Sequence, residues 1–375
     1  MYGKTLKQIS FVLAVAVMAS PAWAMNSRFA TGYLYDDNLY KQEKKVADSI
    51  MVFKAMFSQK FSPKRHRTRF SYFYDTNKHV SRTSEDFDTH KLDLTYSSAL
   101  DRPFVLGSNL QYLISKNPRG DTATLSQDLS APDTWNSKIG SLSLSYRYQE
   151  AMKVIFKFSQ IYKNHDLASS KYKDLSTSTY KFNNYYYYSG KTIFNFGVRR
   201  KLSVFSNKSF GETIDDQYFA GMRWKHSGKT TGTLRLGWTS IQSIANNSIN
   251  HDFLAIYGRF NWKRTSYSQI QLEMARKSLE NFTTAHNYYL NNYFTASWQQ
   301  NIGYKLFTSL KGSVSLNQYG NGNNEAIWSI SPSVVYRVTR HFDITSKLIY
   351  RTKKSTYEYL NYDNFMGNIS LTMKY

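Results

Sequence analysis

Arginine side chains alternate with apolar residues in three stretches of the sequence. Arg223, Arg235 and Arg259 each stand between neighbours that are apolar or glycine. Because successive side chains in a β-strand point to opposite faces, this spacing puts the three guanidinium groups on one face and the apolar groups on the other. Rings of Arg and Lys that line a pore favour anions. The pattern predicts a basic wall along which an anionic substrate moves.

The same alternation assigns further basic side chains to this wall. They are Arg69, Lys91, Arg147, Lys153, Lys157, Arg199, Lys305, Lys311, Lys347 and Arg351. Acidic side chains predicted on the same face are fewer, namely Asp75, Asp93, Glu273 and Asp343. Tyr257, Tyr267 and Tyr293 also point inward by this pattern, either to stack on sugar rings or to fill lumen volume.

The overall charge indicates an anionic partner. Lys and Arg number 49 against 26 Asp and Glu, which gives a net charge of +23. Such an excess fits nucleic acid, lipopolysaccharide phosphates or an acidic polymer. The mean hydropathy of -0.54 is too low for a bundle of membrane helices, but the alternating faces of a transmembrane barrel average to such a value. The absence of cysteine excludes disulfides and cysteine metal sites.

The first 24 residues have the pattern of a secretory signal peptide. Lys4 and Lys7 precede an apolar run over residues 9–17, and Ala22-Trp23-Ala24 forms a small-x-small cleavage site. We therefore expect an exported protein whose mature domain spans residues 25–375. Export excludes nucleic acid as the partner that explains the charge, and leaves outer-membrane lipid, lipopolysaccharide and an anionic polysaccharide.

The elements that position the basic wall are predicted to be strands. Residues 365–375 alternate apolar and polar and end on the aromatic Tyr375, as the closing strand of an outer-membrane barrel does. About eighteen strand-like segments of about 10 residues follow residue 27, joined alternately by tight turns and longer polar loops. The sequence predicts a closed antiparallel transmembrane β-barrel of about 18 strands, with short periplasmic turns, longer extracellular loops and both termini periplasmic.

Aromatic residues mark one end of the predicted barrel. Five of them lie next to short turns, the terminal Tyr375 lies level with these five, and all six point outward by strand alternation: Tyr148, Trp224, Trp262, Trp298, Tyr336 and Tyr375. Amphipathic rings of this kind concentrate at the depth of the lipid headgroups. We predict that they form the periplasmic membrane girdle.

Three segments near the start of the mature chain resemble a known family. They are Gly32-Tyr33-Leu34-Tyr35-Asp36-Asp37-Asn38-Leu39, Arg65-His66-Arg67-Thr68-Arg69-Phe70-Ser71-Tyr72 and Asp88-Thr89-His90-Lys91-Leu92-Asp93-Leu94. In these segments and in its architecture the chain resembles the β-barrel porin type 2 family, outer-membrane barrels associated with exopolysaccharide and capsule gene clusters. The resemblance implies export of an exopolysaccharide or capsular polysaccharide beside a periplasmic export and copolymerase complex, and the basic wall indicates that this polymer is acidic.

Other functions receive less support from the sequence. A barrel enzyme needs Ser, His and an acid at one height, and His90 near Asp86 and Asp88 is the nearest approach to such a cluster. No metal-ligand spacing or phosphate-binding glycine loop is present, so we predict no cofactor.

The sequence alone leaves two alternatives to a polymer conduit open. An uptake porin for small anions or acidic oligosaccharides needs a segment folded inward to narrow the pore, for which residues 116–135 are the candidate. A surface adhesin or structural barrel would have a filled lumen and elaborate loops, and these loops are modest.

Overall fold

The computed structural model describes residues 25–101, 103–117, 132–206, 211–244, 249–280, 288–320 and 322–375. These residues form one 18-stranded antiparallel sheet, in which the first strand also pairs with the last. The predicted closed barrel of about 18 strands is therefore confirmed. The predicted signal peptide, residues 1–24, lies outside the described residues.

Each strand hydrogen-bonds to the next along the chain. The strands are β1 (Met25–Asp36), β2 (Asp48–Phe61), β3 (His66–His79), β4 (Phe87–Asp101), β5 (Phe104–Asn117), β6 (Asp133–Tyr148), β7 (Met152–His165), β8 (Leu175–Ser189), β9 (Thr192–Phe205), β10 (Glu212–Lys225), β11 (Thr230–Ser243), β12 (Ile249–Lys263), β13 (Ser268–Glu280), β14 (Tyr288–Ile302), β15 (Leu306–Tyr319), β16 (Asn324–Arg337), β17 (Phe342–Ser355) and β18 (Tyr362–Lys374). Short 3-10 helices occupy Thr83–Glu85, Ala168–Lys173 and Glu358–Leu360.

The two faces of the sheet differ as the alternation predicts. In the middle of the wall, Leu142, Phe156 and Phe182 share the outer face, and more than half of the Leu142 and Phe156 side chains is exposed. Residues one position along, such as Ser143 and Lys157, share the inner face. An apolar outer band and a polar lumen are what a bilayer-spanning barrel requires. Within the described ranges, no helix is long and apolar enough to span a bilayer.

Connections alternate between tight turns and longer loops. In two of the tight turns, Gln149 and Gly303 adopt φ values of +49° and +66°, which lie in the left-handed region. That region suits glycine, and a β-branched residue would be strained there. The tight turns fall at the same end as both termini, because β1 begins and β18 ends there. This end carries the short turns predicted for the periplasmic side.

A set of polar contacts, here called the seam clasp, joins the first and last strands at the opposite end. Its residues are Asp36, Asp37, Asn38 and Asn364. Asn38 donates to the carbonyl oxygen of Asp363 at 2.9 Å, and Asn364 donates to Asp36 Oδ1 at 2.5 Å. Asp37 accepts the backbone N–H of Phe365 at 2.6 Å. The Asp-Asp-Asn part of the family-like motif therefore holds the barrel shut at its extracellular end.

Candidate functional site

The strand register places the predicted basic residues on the inner wall, with one exception. Those on the inner face are Arg69, Lys91, Arg147, Lys153, Lys157, Arg199, Arg223, Arg235, Arg259, Lys311, Lys347 and Arg351. Lys305 differs, because it lies in the exposed turn between β14 and β15 at the periplasmic rim. Its carbonyl oxygen accepts the backbone N–H of Arg337 at 2.7 Å.

Two of the inward cations lie over one buried aromatic ring, and two more are register partners of one of these two. We call Lys157, Lys181, Arg199 and Arg235 the basic cluster. Lys157, Lys181 and Arg199 are register partners on the consecutive strands β7, β8 and β9. Phe219 of β10 is buried beneath them, with the Arg235 guanidinium carbon 4.6 Å and Lys181 Nζ 5.8 Å from its ring centroid. Lys181 and Arg235 thus lie against the negative face of an aromatic ring.

Most of the charge in the basic cluster is uncompensated. Arg199 is the exception, since its Nη2 lies 2.7 Å from Asp215 Oδ1 and 3.0 Å from Oδ2. Within the described residues, Lys157, Lys181 and Arg235 form no ion pair with a carboxylate. The positive charges of the three other members of the cluster repel the charge of Lys181. An anion that enters the lumen relieves this repulsion, which makes the cluster a site of favourable potential for anions.

Lys181 is the member of this cluster that we did not select from the sequence. It stands between Tyr180 and Phe182, which face outward, so its alternation matches that of Arg235. The signal was present in the pattern. What the pattern did not supply was the register that brings Lys181 beside Lys157 and Arg199.

The predicted trio of Arg223, Arg235 and Arg259 is contiguous but not uniformly charged. Arg223 and Arg259 both have Thr233 as register partner, and Arg235 lies two residues further along the same strand. Arg259 donates to Glu273 Oε2 from Nε at 2.9 Å and from Nη2 at 2.6 Å. A charge paired in this way offers a passing anion little net attraction. Among the described residues, Arg223 and Arg235 form no such ion pair, so the unpaired charge of the trio lies on these two, and Arg235 adds its charge to the basic cluster.

The extracellular ends of β13 and β14 leave the barrel wall and fold inward. Pairing between β12 and β13 stops at Ile256 and Arg276, whereas pairing between β13 and β14 continues to Glu280 and Tyr288. Beyond the point of separation, Ser278 Oγ donates to Asp215 Oδ2 of β10 at 3.0 Å. Strands three apart in a sheet are about 14 Å apart along the wall. A 3.0 Å contact requires the hairpin to cross the inner face, and we call this segment the inward hairpin.

An apolar contact fixes the inward hairpin to the wall. Leu290 of β14 is buried against Ile241 of β11 and Phe253 and Ala255 of β12, whose side chains lie on the inner face. Tyr288 packs on the same group. Burying a leucine side chain contributes about 1.5–3 kcal/mol, which is enough to hold the hairpin in place most of the time. The hairpin therefore narrows the extracellular half of the lumen.

The segment predicted to narrow the pore was a different one. Of residues 116–135, those numbered 118–131 lie outside the described residues. The sequence did not reveal the inward hairpin, because Leu290 is an even number of residues from Phe294 and Trp298, which face outward on the same strand. Alternation alone assigns Leu290 to lipid, and only the departure of the hairpin from the wall turns it to the lumen.

The predicted girdle aromatics lie on the outer face beside the short turns. Tyr148, Trp262, Trp298, Tyr336 and Tyr375 are exposed. Trp262 and Trp298 share Ile270 of β13 as register partner, so they lie in one row of the sheet. Trp224 is half-buried, because its ring lies over Gly232, where a Cβ atom would come within 1.9 Å of the indole. Glycine at this position lets the ring lie flat against the barrel.

The only enzyme-like cluster noted in the sequence faces the membrane. His90 lies on the outer face of β4, and its Nδ1 is 2.9 Å from the hydroxyl oxygen of Tyr72. No group of three His, Cys, Asp or Glu side chains able to hold a metal ion occurs in the part of the chain that the structure describes.

Comparison with known proteins supports the fold and identifies a family. A family model with the description "Putative beta-barrel porin 2" matches residues 22–375. The structure is similar to OpdK from Pseudomonas aeruginosa with vanillate, at 10% identity, a TM-score of 0.53, and coverage of 94% of this chain and 99% of that chain. No curated protein matches the sequence.

Two further solved structures show the same likeness. Pseudomonas aeruginosa OccK2 (OpdF) in complex with glucuronate is 8% identical, with a TM-score of 0.54 and coverage of 93% and 97%. A BenF-like porin from Pseudomonas fluorescens Pf-5 is 9% identical, with a TM-score of 0.54 and coverage of 94% and 99%. At these sequence identities, the structural similarity shows the fold alone.

Proposed function

Because this chain belongs to the β-barrel porin 2 family and folds as an 18-stranded outer-membrane barrel, we propose that it is a porin for the uptake of small acidic solutes. Membership of the family confirms the resemblance seen in the sequence. The observation that carries the proposal is the combination of the basic cluster with the inward hairpin. The basic cluster attracts anions, and the inward hairpin limits the size of the solutes that pass.

The basic cluster provides the chemistry of anion passage. A carboxylate that reaches the lumen can accept paired hydrogen bonds from the planar guanidinium of Arg235, and single ones from Lys157 and Lys181. Several weak sites in succession let an anion enter and also leave. Lys91, Lys153, Lys347 and Arg351 continue the basic wall around the lumen. A solute therefore exchanges from cation to cation along its path.

The inward hairpin favours a small solute over the acidic polysaccharide that the family resemblance implies. A polymer conduit predicts a wide basic lumen, whereas an uptake porin predicts an inward segment. The hairpin crosses from β13 to β10, where Ser278 bonds Asp215, and Leu290 is buried at its base. This apolar contact keeps the hairpin in the space through which a polymer would pass. Small monovalent acids need less of that space.

The structural neighbours are consistent with this proposal. OpdK was solved with vanillate and OccK2 with glucuronate, and both molecules are carboxylates. The two proteins share the barrel architecture with this chain and not its sequence. Their ligands are therefore suitable first probes: one is an aromatic acid and the other a sugar acid.

The test compares charged and neutral solutes of one size. Proteoliposomes that contain the purified barrel are exposed to glucuronate or glucose in swelling assays, and ion selectivity is measured by reversal potential in planar bilayers. We expect faster entry of glucuronate than of glucose and a preference for chloride over potassium. Equal entry of both sugars with no anion preference would contradict the proposal. Free passage of long acidic polysaccharide fragments would favour the polymer conduit instead.

A further inference from the structure

The lipid-facing surface of β3 to β7 carries an apolar groove below an exposed cation. Strand alternation places Leu94, Leu110, Gly140 and Tyr162 on the outer face, and they line a groove of about 440 Å³. Lys138 lines its end and is exposed. Within the described ranges, Lys138 makes no hydrogen bond or ion pair. An unpaired cation on the lipid face is costly unless it lies at the membrane interface or meets an anion.

The height of Lys138 places it at the outer interface. It lies ten residues along β6 from Tyr148 of the periplasmic girdle. At a rise of about 3.3 Å per residue and a tilt of about 40°, the separation along the membrane normal is about 25 Å. That is the height of the apolar band of an outer-membrane barrel. Its neighbours in the row, Tyr112 and Tyr162, are aromatics of the kind found at headgroup depth.

The groove exists because glycine occupies an outward position. A Cβ atom built on Gly140 would meet only Leu110 Cδ2, at 3.8 Å, so a larger residue there would extend into the groove without a backbone clash. The leucine and phenylalanine side chains around it form apolar walls. The groove therefore offers van der Waals contact to a chain that descends from a headgroup at Lys138.

A second groove of about 440 Å³ lies beside the first, on β5 to β9. Leu142, Phe156, Phe182 and Val198 line it, and Arg200 closes its end. Arg200 is held by Asp216, with Nε 2.8 Å from Oδ1 and Nη2 2.6 Å from Oδ2, so its charge is largely balanced.

Polar side chains lie on the outer face between the two grooves. Gln160 Nε2 donates to Ser176 Oγ at 2.9 Å, and Ser178 Oγ donates to Gln160 Oε1 at 2.5 Å. They supply further hydrogen-bonding groups at the same level.

We propose that these grooves form a binding site for a phosphorylated, multiply acylated lipid of the outer leaflet, of the lipopolysaccharide type. Lys138 binds a phosphate, the polar side chains bind the sugar headgroup, and the two grooves take acyl chains. An ordinary phospholipid has two acyl chains and one phosphate, and fills less of this surface. Two features favour this lipid over others: the complementarity between its phosphate and the charge of Lys138, and the presence of two neighbouring grooves for its acyl chains.

Native mass spectrometry of the delipidated barrel with equimolar lipid A and phosphatidylglycerol tests this site. We expect the wild type to prefer lipid A. Lys138→Gln should weaken lipid A binding about fivefold, the factor that corresponds to about 1 kcal/mol per interfacial cation. Gly140→Leu should weaken it similarly by filling the groove, with the charge retained. Arg200→Gln should have a smaller effect, because Asp216 already balances Arg200.

Two controls lie on the opposite side of the barrel. Lys354 is an exposed outward lysine of β17, and Gly312 is an outward glycine of β15 with no atom within 4 Å of a built Cβ. Lys354→Gln and Gly312→Leu should leave the preference unchanged. Equal affinity of the wild type for both lipids, or an equal loss in Lys354→Gln, overturns the proposal. Should Gly140→Leu not assemble, the comparison of Lys138→Gln with Lys354→Gln decides.

Discussion

Asn364 of the last strand donates a hydrogen bond to Asp36 of the first strand, at 2.5 Å between Nδ2 and Oδ1. The side chain of Asn364 is fully buried, as is that of Asn38 beside it. Both belong to the seam clasp, which lies at the extracellular end where β1 turns into its loop. Polar groups this deeply buried are stabilising when bonded and costly when left alone.

Removing either asparagine should weaken the barrel at its seam. Asn38→Ala or Asn364→Ala leaves buried partners unsatisfied, at a cost of about 1–3 kcal/mol. We expect a lower urea concentration at the midpoint of unfolding in detergent. Unfolding is measured from the heat-modifiable mobility of the barrel on gels. Asn368→Ala on the same strand is the control, because its bond to the carbonyl oxygen of Tyr33 is long, at 3.5 Å. A control as unstable as the clasp variants would show that the clasp has no special role.

Neutralising the basic cluster should reduce anion selectivity without affecting assembly. The triple variant Lys157→Gln, Lys181→Gln and Arg235→Gln removes the three uncompensated charges. A unit charge about 7 Å away in water contributes about 0.6 kcal/mol, or about threefold in local anion concentration. We expect the chloride to potassium permeability ratio and the rate of glucuronate entry to fall severalfold.

The control for that variant removes three charges outside the lumen. Lys44 lies in a loop, Lys171 in the short 3-10 helix between β7 and β8, and Lys354 on the outer face, and all three are exposed. The triple change to Gln should leave the permeability ratio close to the wild-type value. If the loop variant loses selectivity and the cluster variant keeps it, the basic wall is not the path of the solute.

Releasing the inward hairpin should widen the pore. Ser278→Ala removes the bond to Asp215, and Leu290→Asn removes the apolar contact with Ile241 and Phe253. The double variant loses roughly 2 kcal/mol of attachment, by the value of a buried leucine. We expect higher single-channel conductance and entry of larger sugar acids. Val335→Asn, on the inner face of β16, is the control. Unchanged conductance in the double variant would mean that the hairpin does not limit the pore.

The terminal aromatic should matter for assembly. The backbone N–H of Tyr375 donates to the carbonyl oxygen of Ser27 at 2.9 Å, and its carbonyl oxygen accepts the N–H of Ser27 at 3.2 Å. Deleting Tyr375 removes both bonds, and Tyr375→Lys puts a charge on the outer face. We expect less heat-modifiable barrel in the outer membrane for both. Tyr304→Lys, in an exposed turn at the same end, should assemble normally; equal loss there would argue against a special role for Tyr375.

The wall of the barrel could be predicted from sequence, whereas the lumen could be predicted only in part. Alternation fixes the face of each residue, so Arg235 and Lys157 are inward by pattern alone. Ion pairing depends on register between strands, and therefore neither Glu273, directly opposite Arg259, nor Asp215, diagonal to Arg199, was assigned as a partner. The inward hairpin leaves the wall, so alternation along β14 does not give the face of Leu290, which packs against the inner wall.

The seam clasp also has a consequence for the order in which the chain matures. Asn38 contacts Asp363 across 325 positions, and closing a loop of that length costs about 5 kcal/mol of chain entropy. Until β18 is complete, β1 has one edge of unpaired N–H and C=O groups, which hydrocarbon cannot satisfy. This edge must therefore be shielded by something other than lipid until the sheet closes. Because Asn38 and Asn364 bond across the seam, their contacts form only when the first and last strands have met.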